Sequence, residues 1–442
     1  MKLIYALVLS LFAALPLRAD VDIQEVTSPG GITAWLVEDH SIPFVALELR
    51  FRGGASLDAP GKRGAINLMT SLLEEGAADM DARAFARAQE SLASSLGFSV
   101  DDDALSVSAR FLTENRDETV QLLKAALQEP RFDADSIERV RGQVLSNIQS
   151  NLKDPNDIAG RAFDALAFGD HPYATSLNGT QESVTALTRD DLLQAHDAVI
   201  ARDRITVGAV GDITPEELST LLDELFTGLP EEGAPMPPAA ELDIPGGVRI
   251  IDFPTPQSVA LFGHSGIRQD DPDFFAALVL NQVLGGGSFE SRLMNEVREK
   301  RGLTYGVYSS LVAKDLSETV MGSVSSANDR IAEAIEVIRE EWRKAAEEGV
   351  TEAELKDAKT YITGAYPLRF EGNGQIASIL VGMQLLGLPI DYIATRNDKV
   401  EAVTLEDVKR VAGELLQPEG LQFVVVGQPE GCLLYTSDAA DE

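Results

Sequence analysis

The chain repeats itself once. Thr188-Arg-Asp-Asp-Leu192, followed by Ile205-Thr-Val-Gly-Ala-Val-Gly211, returns 216 residues later as Thr404-Leu-Glu-Asp-Val408, followed by Leu421-Gln-Phe-Val-Val-Val-Gly427. In both places a threonine with an acidic residue three positions on opens an amphipathic helix, and an apolar run closing in glycine reads as the strand after it. Earlier in each half, Asn115-Arg-Asp-Glu118 and Asn328-Asp-Arg330 start a helix, and a second helix begins after Asp133 and after Thr351. Solenoids repeat every ~20–50 residues, so a period this long means two tandem copies of one domain.

Within each copy, short alternating segments such as 45–51 and 105–111 predict strands. Segments 64–75, 117–129 and 330–347 carry the helical period. Adjacent strands without a crossover helix between every pair predict an antiparallel sheet with helices packed on one face, hence an α+β fold in two homologous domains. The domains fall at 20–227 and 248–428. Between them, 228–247 carries five prolines among Gly, Ala and Glu and reads as a semi-extended linker.

The flanks differ from this body. Lys2, the apolar run 3–15, Pro16 and the small Ala19 have the order of a secretory signal peptide covering 1–19, which predicts export to the periplasm. That run is shorter than the ~20 apolar residues a membrane span needs, and no later segment is long enough either. Residues 429–442 form a tail that loses apolar periodicity and reads as foreign from Cys432, the lone cysteine. Acidic residues outnumber basic ones 71 to 37, a net charge of −34, which argues against nucleic acid and anionic membrane partners.

His40, His171, His196 and His264 include no pair three or four residues apart, so no local zinc site is legible. His171 sits in a turn-like His-Pro-Tyr and reads as structural, His196 is expected to face solvent, and His40 and His264 near strand ends receive no role. Gly263-His-Ser-Gly266 lacks the glycine a nucleophile elbow needs, because Ile267 stands there. Asp101-Asp-Asp103 lacks a calcium-loop ligand series and reads as a solvated hairpin turn.

Two segments remain. Gly285, Gly286 and Gly287 follow an apolar helix, permitting either close approach of a ligand or extended peptide, or a plain helix end and hinge. Arg298 lies near the end of the next helix, Gly302 breaks it, and Tyr305 is expected to begin a strand. Arginine and tyrosine at one turn suit donation to a carbonyl or developing oxyanion. They equally suit a basic cluster on a helix dipole followed by a strand aromatic.

With the duplication, Gly285-Gly-Gly287 with Ser291-Arg-Leu293, and Arg298-Glu-Lys-Arg-Gly-Leu-Thr-Tyr305, the chain resembles the bacterial two-domain class of the insulinase-like (pitrilysin, M16) metallopeptidase family over about 21–428. Catalytic members carry H-x-x-E-H on the first helix of the N-terminal domain and a further glutamate downstream. Here Asn67, Thr70 and Ser71 stand at the motif positions, and no carboxylate falls in 144–148. The resemblance therefore implies a subunit with no metal of its own, paired with an H-x-x-E-H subunit that holds zinc. Arg298 and Tyr305 would serve the shared site in trans, and Gly285 to Gly287 would admit the peptide substrate. A peptide-binding or structural module without a part in catalysis is the alternative, and a self-sufficient zinc peptidase a more remote one.

Overall fold

The computed structural model describes residues 21–287 and 289–431, so the leader 1–19, Ser288 and the tail from Cys432 lie outside the described residues. In the first half, β1 (Gln24–Thr27), β2 (Thr33–Glu38), β3 (Phe44–Arg52), β6 (Ser95–Val100), β7 (Ala104–Leu112) and β8 (Ile205–Gly211) form one sheet. A small ribbon, β4 (Gly76–Ala77) with β5 (Met80–Asp81), stands apart. In the second half, β9 (Gly247–Asp252), β10 (Gln257–Ser265), β11 (Val307–Lys314), β12 (Ser317–Ala327) and β13 (Gln422–Gly427) form another sheet. The spatial orders are β1-β2-β8-β3-β7-β6 and β9-β13-β10-β12-β11, so beyond β1 the second sheet repeats the first strand for strand. Neighbours run antiparallel except β2 beside β8 and β9 beside β13, where the opening and closing strands of each copy lie parallel.

The local chemistry of the repeat is retained. Thr188 and Thr404 each close a capping box with an aspartate three residues on, as Thr351 does with Glu354. These caps satisfy backbone donors that the first helical turn leaves free. His196, expected to face solvent, is instead buried, its Nε2 2.8 Å from the Leu127 carbonyl. The helical period alone did not fix which face of that helix turns inward.

Each copy packs its own helices on one face of its sheet. Val45, Leu47, Leu49 and Phe51 of β3 project into the larger core beneath them. The opposite face is covered by a helix of the other copy. Asn373–Leu385 lies across β3 and β8, burying Ala377, Leu380 and Met383 against Trp35, Ala46 and Val210. A Cβ at Gly208 would come within 2.7 Å of the Ala377 carbonyl, so glycine there is what lets the helix sit so close. Reciprocally, Pro155–Phe168 lies across β10 and β13, burying Ala159, Phe163 and Ala167 against Val424 and Val426. The segment 228–247 is held in this second seam: the Asp243 N–H donates to the Ala167 carbonyl at 3.1 Å and the Ala240 N–H to Leu316 at 2.8 Å.

Asp101 to Asp103 form the β6–β7 turn, but the turn is not free in solvent. It meets the equivalent β11–β12 turn of the second copy. Asp102 accepts from Arg63 at 2.8 Å and Lys314 at 2.9 Å. Asp103 accepts from the buried Tyr173 hydroxyl and, at 3.2 Å, from the Asp315 N–H. The Tyr173 oxygen in turn accepts from Leu316 N–H at 3.2 Å, and Lys314 lies 4.3 Å from the Tyr173 ring centre.

Two outcomes follow from this seam. Tyr173→Phe leaves the Leu316 N–H and an Asp103 oxygen without partners and costs about 1–3 kcal/mol in denaturant unfolding. Asp164, beside this network, has its carboxyl raised by burial from 3.8 to about 6, with Lys314 only partly opposing. The native state holds the proton that the unfolded chain releases, so this group's contribution falls as pH rises from about 4 to about 6. Asp164→Asn is therefore expected to raise the melting temperature above about pH 6 and to leave it unchanged below about pH 4.

Candidate functional site

The helix at the family's metal-binding position runs only Ala65–Thr70, five residues shorter at its end than the sequence period suggests. Its start is fixed by Asp58, whose carboxylate accepts from the Gly64 and Ile66 N–H groups, both at 2.8 Å. Burial raises that carboxyl to about 6 against these bonds. Beyond Thr70 the chain tightens, with Leu72 N–H bonded to Met69 O and Leu73 N–H to Thr70 O.

The side chains at the motif positions are satisfied locally. Asn67 Nδ2 donates to Asn178 Oδ1 at 3.0 Å, Thr70 Oγ1 to Ile66 O at 2.8 Å and Ser71 Oγ to Asn67 O at 3.0 Å. Hydroxyls bonded back into their own helix are poor zinc donors, and no imidazole or carboxylate stands among the three. Val144 and Ile148, at the downstream acidic position, are buried apolar side chains of Ala134–Asn151. Among the described residues, no three His, Cys, Asp or Glu side chains gather as metal ligands. These residues do not fit zinc.

In the second half, Gly285 ends the helix Phe274–Leu284, and its carbonyl accepts from Ser309 N–H of β11 at 2.8 Å. A Cβ there would stand 2.5 Å from Ser309 Oγ and 2.8 Å from Ser309 N. Asn281 and Ser309 lock this crossing with buried bonds of 2.8 and 3.1 Å. Gly286 is crowded by its own preceding turn, Gln282 Cα lying 2.5 Å from a built Cβ, whereas Gly287 has φ +85° and opens on free space. Two of the three glycines thus serve close approach by this chain's own backbone.

Arg298 lies on a widened turn, Met294–Glu299, with Nε 3.6 Å from the Glu299 carboxylate and its guanidinium 5.0 Å from the centre of the exposed Phe289 ring. Tyr305 precedes β11 rather than beginning it. The Thr304 hydroxyl donates to Ser325 O at 2.7 Å and accepts from Gly306 N–H at 3.1 Å, which pins the turn around Tyr305. The Tyr305 side chain is 88% exposed, and its hydroxyl makes no hydrogen bond among the described residues. Among the described residues no hydrogen bond joins Arg298 and Tyr305, which flank one turn, and the Phe289 ring just past the glycines stands against Arg298.

Residues 33–181 match the insulinase (peptidase family M16) description, and residues 186–362 match the peptidase M16 inactive domain. The chain is 27% identical to the non-peptidase homolog YmxG of Helicobacter pylori, over 88% of this chain and 90% of that protein. It is 28% identical to an uncharacterized zinc protease of Mycobacterium leprae, over 88% of each. The crystal structure of a peptidase M16 inactive domain from Pseudomonas fluorescens shares the fold at a TM-score of 0.87 and 28% identity, covering 93% of this chain and 99% of that one.

The crossing at Gly285 yields a direct measurement. Gly285→Ala forces a methyl group against Ser309 and is expected to lose about 1–3 kcal/mol of stability, read as a lower denaturation midpoint. Gly287→Ala meets no neighbouring atom and strains only its positive φ, so its loss is expected to be the smaller of the two.

Proposed function

The chain belongs to the insulinase-like M16 family as an inactive member without the zinc motif, and from that premise we propose that it is the non-catalytic subunit of an exported peptidase heterodimer. One observation carries the reading. The motif positions are closed on themselves by hydrogen bonds within their own half, while Tyr305 in the other half is presented to solvent with its hydroxyl uncommitted. An H-x-x-E-H subunit supplies the zinc and the general base; this chain supplies donors. Tyr305 donates to the oxygen that gains charge as the peptide carbonyl becomes tetrahedral, an effect of about 3 kcal/mol per donor. Arg298, held over Phe289, binds a neighbouring substrate carbonyl. The open face at Gly287 leaves room for extended peptide.

A binding or structural module without catalytic coupling is favoured by one opposing observation, the engagement of Gly285 by β11 of the same chain. Kinetics separate the two. The purified chain alone is expected to show no chelator-sensitive cleavage of a fluorogenic peptide, and the mixture with an H-x-x-E-H subunit to cleave it. Tyr305→Phe is expected to lower turnover of the mixture by about 10²-fold while the complex still elutes as one species. Chelator-sensitive cleavage by this chain alone overturns the proposal, and unchanged turnover of the variant assigns Tyr305 to structure.

A further inference from the structure

His264 of β10 and Trp342 of the helix Ile331–Glu348 are both buried, and Trp342 Nε1 stands 2.9 Å from His264 Nε2. An indole nitrogen only donates, so His264 Nε2 is the acceptor and carries no proton. The ring proton is then on Nδ1, which donates to the Ser265 carbonyl at 2.7 Å. One tautomer of the neutral ring satisfies both partners, whereas an imidazolium, with a proton on each nitrogen, satisfies only one. The two rings meet edge to face with centres 6.0 Å apart, and Trp342 meets Phe262 in the same way at 5.7 Å. The bond thus joins the second sheet to a helix that covers it, inside the second core.

His196, the other buried histidine, is the opposite case. Its Nε2 faces the Leu127 carbonyl and its Nδ1 the Asp197 carboxylate at 3.1 Å, two acceptors that suit a ring protonated on both nitrogens. At His171 a backbone N–H also donates to the ring, but that ring is only half-buried. Around His264 the charged groups are engaged elsewhere. On the helix, Glu341 is paired with Lys344 at 2.9 Å, and the Arg339 guanidinium lies 5.1 Å from the Phe423 ring centre. On β12, apolar Val320 stands opposite His264, and the charge of Glu318 reaches Arg268 instead. On β13, the residue paired with Gly263 is the uncharged Gln422. Burial therefore sets the proton affinity of His264, holding it below the usual 6.5 with only the Ser265 carbonyl opposing. The unfolded chain takes up a proton near pH 6.5 that the folded chain refuses, so this group's contribution to stability falls as pH drops below about 6.5.

We propose that the His264–Trp342 bond is an acid-released pin: protonation of His264 sets two N–H donors face to face and frees the helix Ile331–Glu348 from β10. That helix also packs against the widened turn that carries Arg298, so the pin lies under the candidate site. The device is independent of the proposed peptidase pairing and is tested on this chain alone.

Trp35 and Trp342 are the two tryptophans of the chain, so a nitrogen-15 spectrum carries two indole signals, which Trp35→Phe assigns. His264→Gln keeps an acceptor for the indole and a donor for the Ser265 carbonyl but takes up no proton. The ratio of wild-type to His264→Gln exchange rates for the Trp342 indole hydrogen is expected to rise about tenfold between about pH 7.5 and about pH 5. The wild-type melting temperature is expected to fall further than that of His264→Gln over the same interval. Ring nitrogen shifts of wild-type His264 read the tautomer without any variant, with Nδ1 protonated and Nε2 bare expected at about pH 7.5. A proton on Nε2 at that pH, a wild-type Trp342 signal that stays protected down to about pH 5, or an exchange ratio that does not change with pH overturns the pin.

Discussion

Two equivalent turns, one from each copy, meet where Asp102 and Asp103 take their hydrogen bonds from Arg63, Tyr173, Lys314 and the backbone of Asp315. Duplication brings the same element face to face with itself, and identical charges there would repel. The copies have diverged, so carboxylates on one turn face Lys314 on the other. Charges taken out of water need near-complete pairing to be tolerated, and here both carboxylate oxygens of Asp102 and both of Asp103 have a donor. That directionality sets the two sheets against each other. The two crossing helices can bury their apolar faces only where those sheets stand in that relation.

The sequence showed the duplication, the strands at 45–51 and 105–111 and the threonine caps, because each is written in local spacing. Its reading missed the crossing helices, which depend on contacts between distant residues. A signal was nonetheless present. Phe423 to Val426 is an unbroken apolar run buried on both sides, and a strand covered on one face alternates instead. The role of Asp101 to Asp103 was hidden for the opposite reason, since acidic turns are usually solvated and only the second copy converts this one into a seam. For the site, the emptied motif and the residues Arg298 and Tyr305 were legible as types. The placement of Tyr305 ahead of β11 was not, because it follows from the bonds of Thr304 to Gly306 just ahead of β11 and to Ser325 on β12.

The emptied helix shows how a site is lost without loss of the fold. Replacing imidazole and carboxylate by Asn67, Thr70 and Ser71 leaves short polar groups that the helix backbone and Asn178 satisfy, so no buried charge is stranded. The position is closed by neutral side chains that need nothing further.

The crossing of Asn373–Leu385 onto the first sheet has a consequence in time as well as in space. A growing or translocating chain emerges from its amino end, and the first sheet lacks its second cover until that late helix has arrived. Trp35, Ala46 and Val210 therefore stay wet through most of synthesis, and the first half cannot reach its native stability as an early, independent unit. The first half therefore completes its native packing only once the chain is nearly whole.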